Sequence, residues 1–159
     1  KSIFVDDSLC PKLSDIGFFT QVENSKFATN VTAKEMGINA YSMSPEFLKS
    51  GKKSKSSDVY TYSYIAYEIL TSEVPFKDIK NVKDLYEEII NKKYRPSFNK
   101  KTQGIYKNLI SLCWSDDPND RPSFDDITNY LEKNIYSVTN IDKKKFSDYI
   151  KHIKKTILK

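Results

Sequence analysis
Ser57-Asp58-Val59-Tyr60-Thr61-Tyr62-Ser63-Tyr64-Ile65-Ala66-Tyr67-Glu68-Ile69-Leu70 is the stretch on which the fold turns. Ser56 or Ser57 is placed to cap a helix here, and Asp58 suits the positive end of its first turn. Apolar or aromatic residues then fall on nearly every side, the pattern of a helix buried at the centre of a domain. Three more helices follow. Asn81 caps the first, with Val82, Leu85, Ile89 and Ile90 on one face. Ile105, Leu109, Leu112 and Cys113 mark the second. Ser123 opens the third, with Asp126 in capping-box position and Phe124, Ile127 and Leu131 turned inward.

Upstream the pattern changes. Ile3-Phe4-Val5, the turn residues Asp6-Asp7-Ser8 and the returning Pro11-Lys12-Leu13 read as a small β-hairpin. From Thr20 to Tyr41 the chain is polar and aperiodic, a loop of more than twenty residues. Loops that long are usually functional or disordered. The expected fold class is therefore mainly α with a small β-hairpin, without internal repeats.

Composition narrows the function classes. The 159 residues are enough for one globular unit with a real core. The first residue is Lys1, so the chain is expected to belong to a longer or processed polypeptide. No apolar run is long enough to cross a bilayer, and no signal peptide is visible. Cys10 and Cys113 lie far apart without metal spacing, which suits buried thiols in a reducing, cytoplasmic setting. His152, the only histidine, has no ligand pattern around it. The net charge is +5, yet residues 133–159 alone carry +6, so the body sums to about −1. The basicity belongs to the tail, and nucleic acid is not the expected partner. That tail, residues 135–159, sets Phe146, Tyr149, Ile150, Ile153 and Ile157 against Lys143, Lys144, Lys145, Lys151, Lys154 and Lys155 at helical spacing. Packing against a neighbouring part of the protein is one reading of it. Peripheral contact with anionic lipid or an acidic partner is the other.

Short motifs punctuate residues 1–134. Asp15-Ile16-Gly17 opens the long loop and Ser44-Pro45-Glu46 closes it. Asp58-Val59-Tyr60 begins the central helix, and Val74-Pro75-Phe76 follows it. Cys113-Trp114, Asp117-Pro118 and Arg121-Pro122-Ser123-Phe124 come last. Each is weak alone; in this order and at these separations they are specific together. The sequence resembles the C-terminal lobe of protein kinases, where the corresponding pieces read Asp-Phe-Gly, Ala-Pro-Glu, Asp-Val-Trp/Tyr and Cys-Trp…Asp-Pro…Arg-Pro-Ser-Phe. The style is similar to the tyrosine-kinase-like group, whose members mostly act on Ser and Thr.

The resemblance implies roles residue by residue. Asp15 would hold Mg²⁺ on the ATP phosphates, and Gly17 would let the backbone turn there. Without its context, Asp-x-Gly is an ordinary turn. Glu46 and Arg121 would form a buried ion pair fastening the end of the activation segment. Asp58 would accept hydrogen bonds from the catalytic-loop backbone. Ile65 and Ile69 would support the spine beneath adenine, or be plain core. Phe4 would floor the adenine site, with a strand core residue as the alternative. Ser25, Thr29, Thr32 and Tyr41 are candidate activation-loop phosphorylation sites; the alternative for each is an unmodified solvated hydroxyl.

Departures from the pattern carry information too. Thirteen residues before Asp15, where kinases usually place a second metal-binding Asn, stands Ser2, a poorer Mg²⁺ ligand. Ile16 replaces Phe, Ser44 replaces Ala and Ser63 stands at a usual Gly. Gly37-Ile38-Asn39-Ala40-Tyr41-Ser42-Met43 carries one residue more than the family stretch, with Asn39 near the Thr that contacts the catalytic base. A Gly-rich loop, a strand Lys with its helix Glu and a catalytic Asp are not in the sequence. The expectation is an inactive piece of an ATP- and Mg²⁺-dependent Ser/Thr kinase, needing its N-lobe and acting on a protein substrate. A pseudokinase scaffold, or a helical module binding partners around residues 82–98, are the alternatives.

Overall fold
A computed structural model of the chain describes residues 3–13, 40–51, 53–79, 81–139 and 141–157. They fall into two compact units, Phe27–Asn134 and Lys1–Lys26 with Ile135–Lys159. In the second unit, β1 (Ile3–Val5) and β2 (Pro11–Leu13) pair antiparallel, with Phe4 opposite Lys12. The Asp6 carboxylate closes the turn by accepting from the backbone N–H of Ser8 (3.0 Å) and Cys10 (2.8 Å). Leu9 takes a left-handed conformation there (φ 61°).

The larger unit is helical: α1 (Pro45–Ser50), α2 (Lys55–Thr71), α3 (Val82–Tyr86), α4 (Gly104–Cys113) and α5 (Phe124–Asn134). Four of these starts have a side-chain cap. Ser44 caps α1 through the Phe47 N–H, with Pro45 at its first position, and Gly51 ends it in the left-handed region (φ 69°). Asn81 caps α3 through the Asp84 N–H (2.8 Å). Ser123 and Asp126 form a reciprocal capping box, 3.1 Å and 3.0 Å. α3 runs on into a π-helical turn, Glu87–Asn91.

Two sequence expectations about α2 need correction. The cap of α2 is Ser54, whose hydroxyl accepts from the Ser57 N–H at 3.2 Å, so the helix starts before Ser56 and Ser57. Ser57 is diverted: its hydroxyl donates to Glu46 Oε1 at 2.8 Å. Nor is α2 buried all round. Val59, Tyr60, Ser63, Tyr64, Tyr67 and Thr71 are buried, while Ile69 is 75% exposed. Ile69 follows Tyr60 by nine residues, half a turn away around the helix, so it faces outward where Tyr60 faces in.

The core follows from that buried face. Tyr60, Tyr64 and Tyr67 pack with Ile110 and Trp114. Val59 meets Leu109, Cys113 and Ile127, and a separate cluster joins Met43 and Phe47 to Leu85 and Ile89. Ile110, not Leu112, completes the inner face of α4; Leu112 is exposed. Phe124 is exposed as well and meets the edge of Tyr62. In the smaller unit α6 (Lys143–Ile157) is the expected basic amphipathic helix. Ser54→Ala should lower the unfolding free energy by about 1 kcal/mol in urea denaturation. Ser56→Ala should stay within about 0.5 kcal/mol.

Candidate functional site
Arg121 organises the described part of the site. Its side chain has no solvent exposure, and each guanidinium N–H finds an acceptor. Nη1 donates to Glu46 Oε1 (2.8 Å) and the Ser56 carbonyl (3.0 Å). Nη2 donates to Glu46 Oε2 (2.9 Å) and the Asp116 carbonyl (3.4 Å). Nε donates to the Ser115 carbonyl (2.9 Å). The planar fork meets both oxygens of Glu46, which a lysine cannot reproduce. Ser57 adds a third hydrogen bond to that carboxylate.

Burial works against charge on Glu46. The Arg121 fork and hydrogen bonds from the Ser44 and Ser57 side chains outweigh it and pull its pKa down to about 2. The guanidinium also lies over the Tyr60 ring, 4.9 Å from its centroid. Arg95 approaches the same ring at 5.4 Å and binds Asp116 at 2.6 Å and the Trp114 carbonyl at 3.0 Å.

A second polar anchor lies nearby. Tyr41, in the 3₁₀ turn Ala40–Ser42, donates its hydroxyl to Glu68 Oε1 at 2.6 Å. Burial first, and the Glu68 carboxylate second, raise the Tyr41 pKa far above its usual range. A phosphate on that oxygen would stand against Glu68, where like-charge repulsion opposes it. Stretch 41–46 is therefore fastened to α2 at both ends, with Met43 and Ser44 buried between.

The remaining expected site residues distribute unevenly. Ser2, Asp15, Ile16, Gly17, Ser25, Thr29 and Thr32 lie outside the described residues. Phe4 sits on β1 and is 55% exposed, so it is not a strand core residue. Asp58 is exposed on the first turn of α2, and no described residue hydrogen-bonds its carboxylate. Within the stretch 82–98, the alternative partner-binding region, Leu85 is core and Tyr94 is the exposed aromatic. Cys10 and Cys113 are buried free thiols, and burial pushes Cys113 up to about 12, so it is not a nucleophile. No cluster able to hold a metal occurs among the described residues. Arg95, Ser57 and Glu68 had not been singled out for these contacts. Their partners lie 11 to 27 residues away in sequence, and no short-range pattern marks them.

A buried Arg fork holding a Ser-Pro-Glu carboxylate against a central helix defines a protein-kinase-like helical lobe. The family profile of protein tyrosine and serine/threonine kinases matches residues 1–131, and the chain belongs to that family. A probable serine/threonine-protein kinase of Dictyostelium discoideum is 33% identical over 132 residues, covering 83% of this chain and 9% of the relative. The dual specificity protein kinase shkE of the same organism is 33% identical over 122 residues, 77% of this chain and 17% of its own length. Another, splA, is 34% identical over 123 residues, 77% of this chain and 5% of its length. The chain thus spans less than a fifth of the length of these relatives.

Arg121→Met strands the Glu46 carboxylate and should cost about 3–5 kcal/mol of stability. Adding Glu46→Gln in the same chain should recover part of that loss, read as a denaturant double-mutant cycle. Because folding lowers the Glu46 pKa, its contribution is full above the ordinary value of 4.5 and fades as pH falls toward about 2. The stability of Glu46→Gln should accordingly depend less on pH across that window than that of the parent chain.

Proposed function
We propose that residues 1–134 are the C-terminal lobe of an ATP-dependent protein kinase of the tyrosine-kinase-like group, directed to Ser and Thr hydroxyls of a protein substrate. The intact Glu46–Arg121 clamp supports this reading most. It fixes the far end of the segment that Asp15 opens, and so fixes where a substrate would lie against the lobe. Asp58 would receive the catalytic-loop backbone, and Phe4 would lie under adenine.

The donor set fits one Mg²⁺ better than two. Asp15 offers a hard carboxylate, whereas Ser2 offers only a neutral hydroxyl. When bound with ATP, Mg²⁺ neutralises phosphate charge during transfer. Asp15 would orient it, Gly17 would permit the backbone turn beside it, and Ile16 would fill the apolar volume of the usual Phe. Ser25, Thr29 and Thr32 are preferred over Tyr41 as phosphorylation candidates, since the Tyr41 hydroxyl is already bound to Glu68. Residues 135–159 would be a basic tail that follows this lobe in sequence and packs in one unit with the hairpin. The expected setting is cytoplasmic; among the described residues no helix is long and apolar enough to cross a membrane. Protein partners around residues 82–98 would meet Tyr94 in preference to the buried Leu85.

Ser2 favours a second reading, a pseudokinase that keeps the lobe as a scaffold. The experiment that separates them uses the full-length protein with radiolabelled ATP, Mg²⁺ and a generic protein substrate. Asp15→Ala should lower transfer by more than about 100-fold, the loss typical of a preorganised electrostatic group. Unchanged transfer would overturn the metal-binding role, and no transfer by the parent protein would favour the scaffold. The 159 residues alone should show no Mg²⁺·ATP-dependent transfer, for want of a Gly-rich loop, strand Lys and catalytic Asp.

A further inference from the structure
We propose that the lysine face of α6 is a docking surface for a membrane leaflet rich in anionic lipid. This reading is independent of any catalytic role. Lys151 and Lys155 follow Lys144 by seven and eleven residues, close to two and three helical turns, so the three form one strip within about 40° around the axis. Along the axis they are separated by about 10 Å and about 6 Å. All three are exposed, and none has a carboxylate at ion-pairing distance among the described residues. Asp148 falls on the same strip and subtracts one charge. Lys143 and Lys145 extend the field, although Lys143 also lies over the Tyr136 ring at 5.7 Å and Lys145 is 4.0 Å from Asp142.

The opposite face is already engaged. The Tyr149 hydroxyl donates to the Leu9 carbonyl of the hairpin turn at 2.8 Å, and Phe146, Ile150 and Ile153 are half-buried. The helix is thus held by its apolar side and turns its charges outward. A straight line of point charges matches a broad anionic plane. α6 has no arginine to fork onto a nucleotide base or phosphate, and its aromatic residues lie away from the strip of Lys144, Lys151 and Lys155, so base stacking on that strip is not served. Ile150 lies beside Lys143 and Lys154 around the helix, which puts partly covered apolar surface at the edge of the basic strip, as an interfacial helix requires. The rest of the chain sums to about −1, so the field that steers approach comes from the tail.

The test is flotation of the full chain with phosphatidylcholine vesicles, plain or carrying about one-third phosphatidylserine. Binding should appear only with phosphatidylserine and be released by about 0.5 M salt, where screening is strong. Replacing Lys144, Lys151 and Lys155 together with Gln should weaken it on the order of 100-fold. Replacing the exposed Lys49, Lys77 and Lys83 with Gln should leave it within about threefold, since they belong to the other unit. Equal binding to plain vesicles, no binding to either, or equal losses in both variants would overturn the proposal. So would displacement from the vesicles by an oligonucleotide or polyglutamate at equal charge concentration, which would make the partner a soluble polyanion.

Discussion
The guanidinium of Arg121 joins three stretches of the chain: Glu46, the Ser56 carbonyl, and the adjacent carbonyls of Ser115 and Asp116. Taking this cation fully out of water costs several kcal/mol, and only complete pairing offsets that. Every N–H therefore constrains the backbone. The first turn of α2 must hold the Ser56 carbonyl where it is, the turn at 115–116 must present carbonyls, and the carboxylate of Glu46 must arrive in the plane of the fork. A hydrophobic replacement could match the stability but would tolerate many positions of the 41–46 stretch. The ion pair tolerates few.

Around that pair the core is built of tyrosine more than of aliphatic residues. Tyr60 takes the cations of Arg121 and Arg95 over its ring, and its hydroxyl meets that of Tyr64 at 3.3 Å. Tyr64 and Tyr67 each pack against Trp114, with ring centroids 5.5 Å and 5.9 Å apart. Such pairs contribute about 0.5–1.5 kcal/mol each beyond area burial. The Tyr67 hydroxyl reaches the Ser97 carbonyl at 3.1 Å, so its own donor stays paired. Small residues make room: Ser63 is fully buried and turns its hydroxyl back to the Tyr60 carbonyl at 2.6 Å.

This explains what the sequence made visible. Helix positions, the Asn81 and Ser123 caps and the hairpin follow from local periodicity and capping chemistry, which act within a few residues. The α2 start misled because three serines compete for the cap, and Ser57 is claimed by Glu46 eleven residues away. Ile69 misled because counting apolar residues does not weigh which sector of the helix carries the aromatic rings. Leu112 and Phe124 misled for a related reason: each lies at the edge of an apolar stripe whose centre is taken by Cys113 or Ile127. Glu46 and Arg121 could be paired before the fold was seen only through family motifs, since 75 residues separate them. The hydrogen bond from Tyr41 to Glu68 has no motif behind it.

That last contact changes what stretch 41–46 does. Two polar anchors of different chemistry hold its ends, one a charged pair whose arginine is fully enclosed, the other a half-buried phenol on a carboxylate, and the Thr61 hydroxyl donates to the Ser42 carbonyl between them at 2.9 Å. The charged anchor fixes the Glu46 end against α2 and the 115–116 turn. The phenol fixes the Tyr41 end near the last turn of the same helix. A segment pinned at two points along one rigid helix cannot slide in register, so any rearrangement between Asp15 and Tyr41 has to be absorbed before residue 41. Modification of Tyr41 would break the second anchor and set two anionic groups side by side, whereas Ser25, Thr29 and Thr32 lie upstream of both anchors.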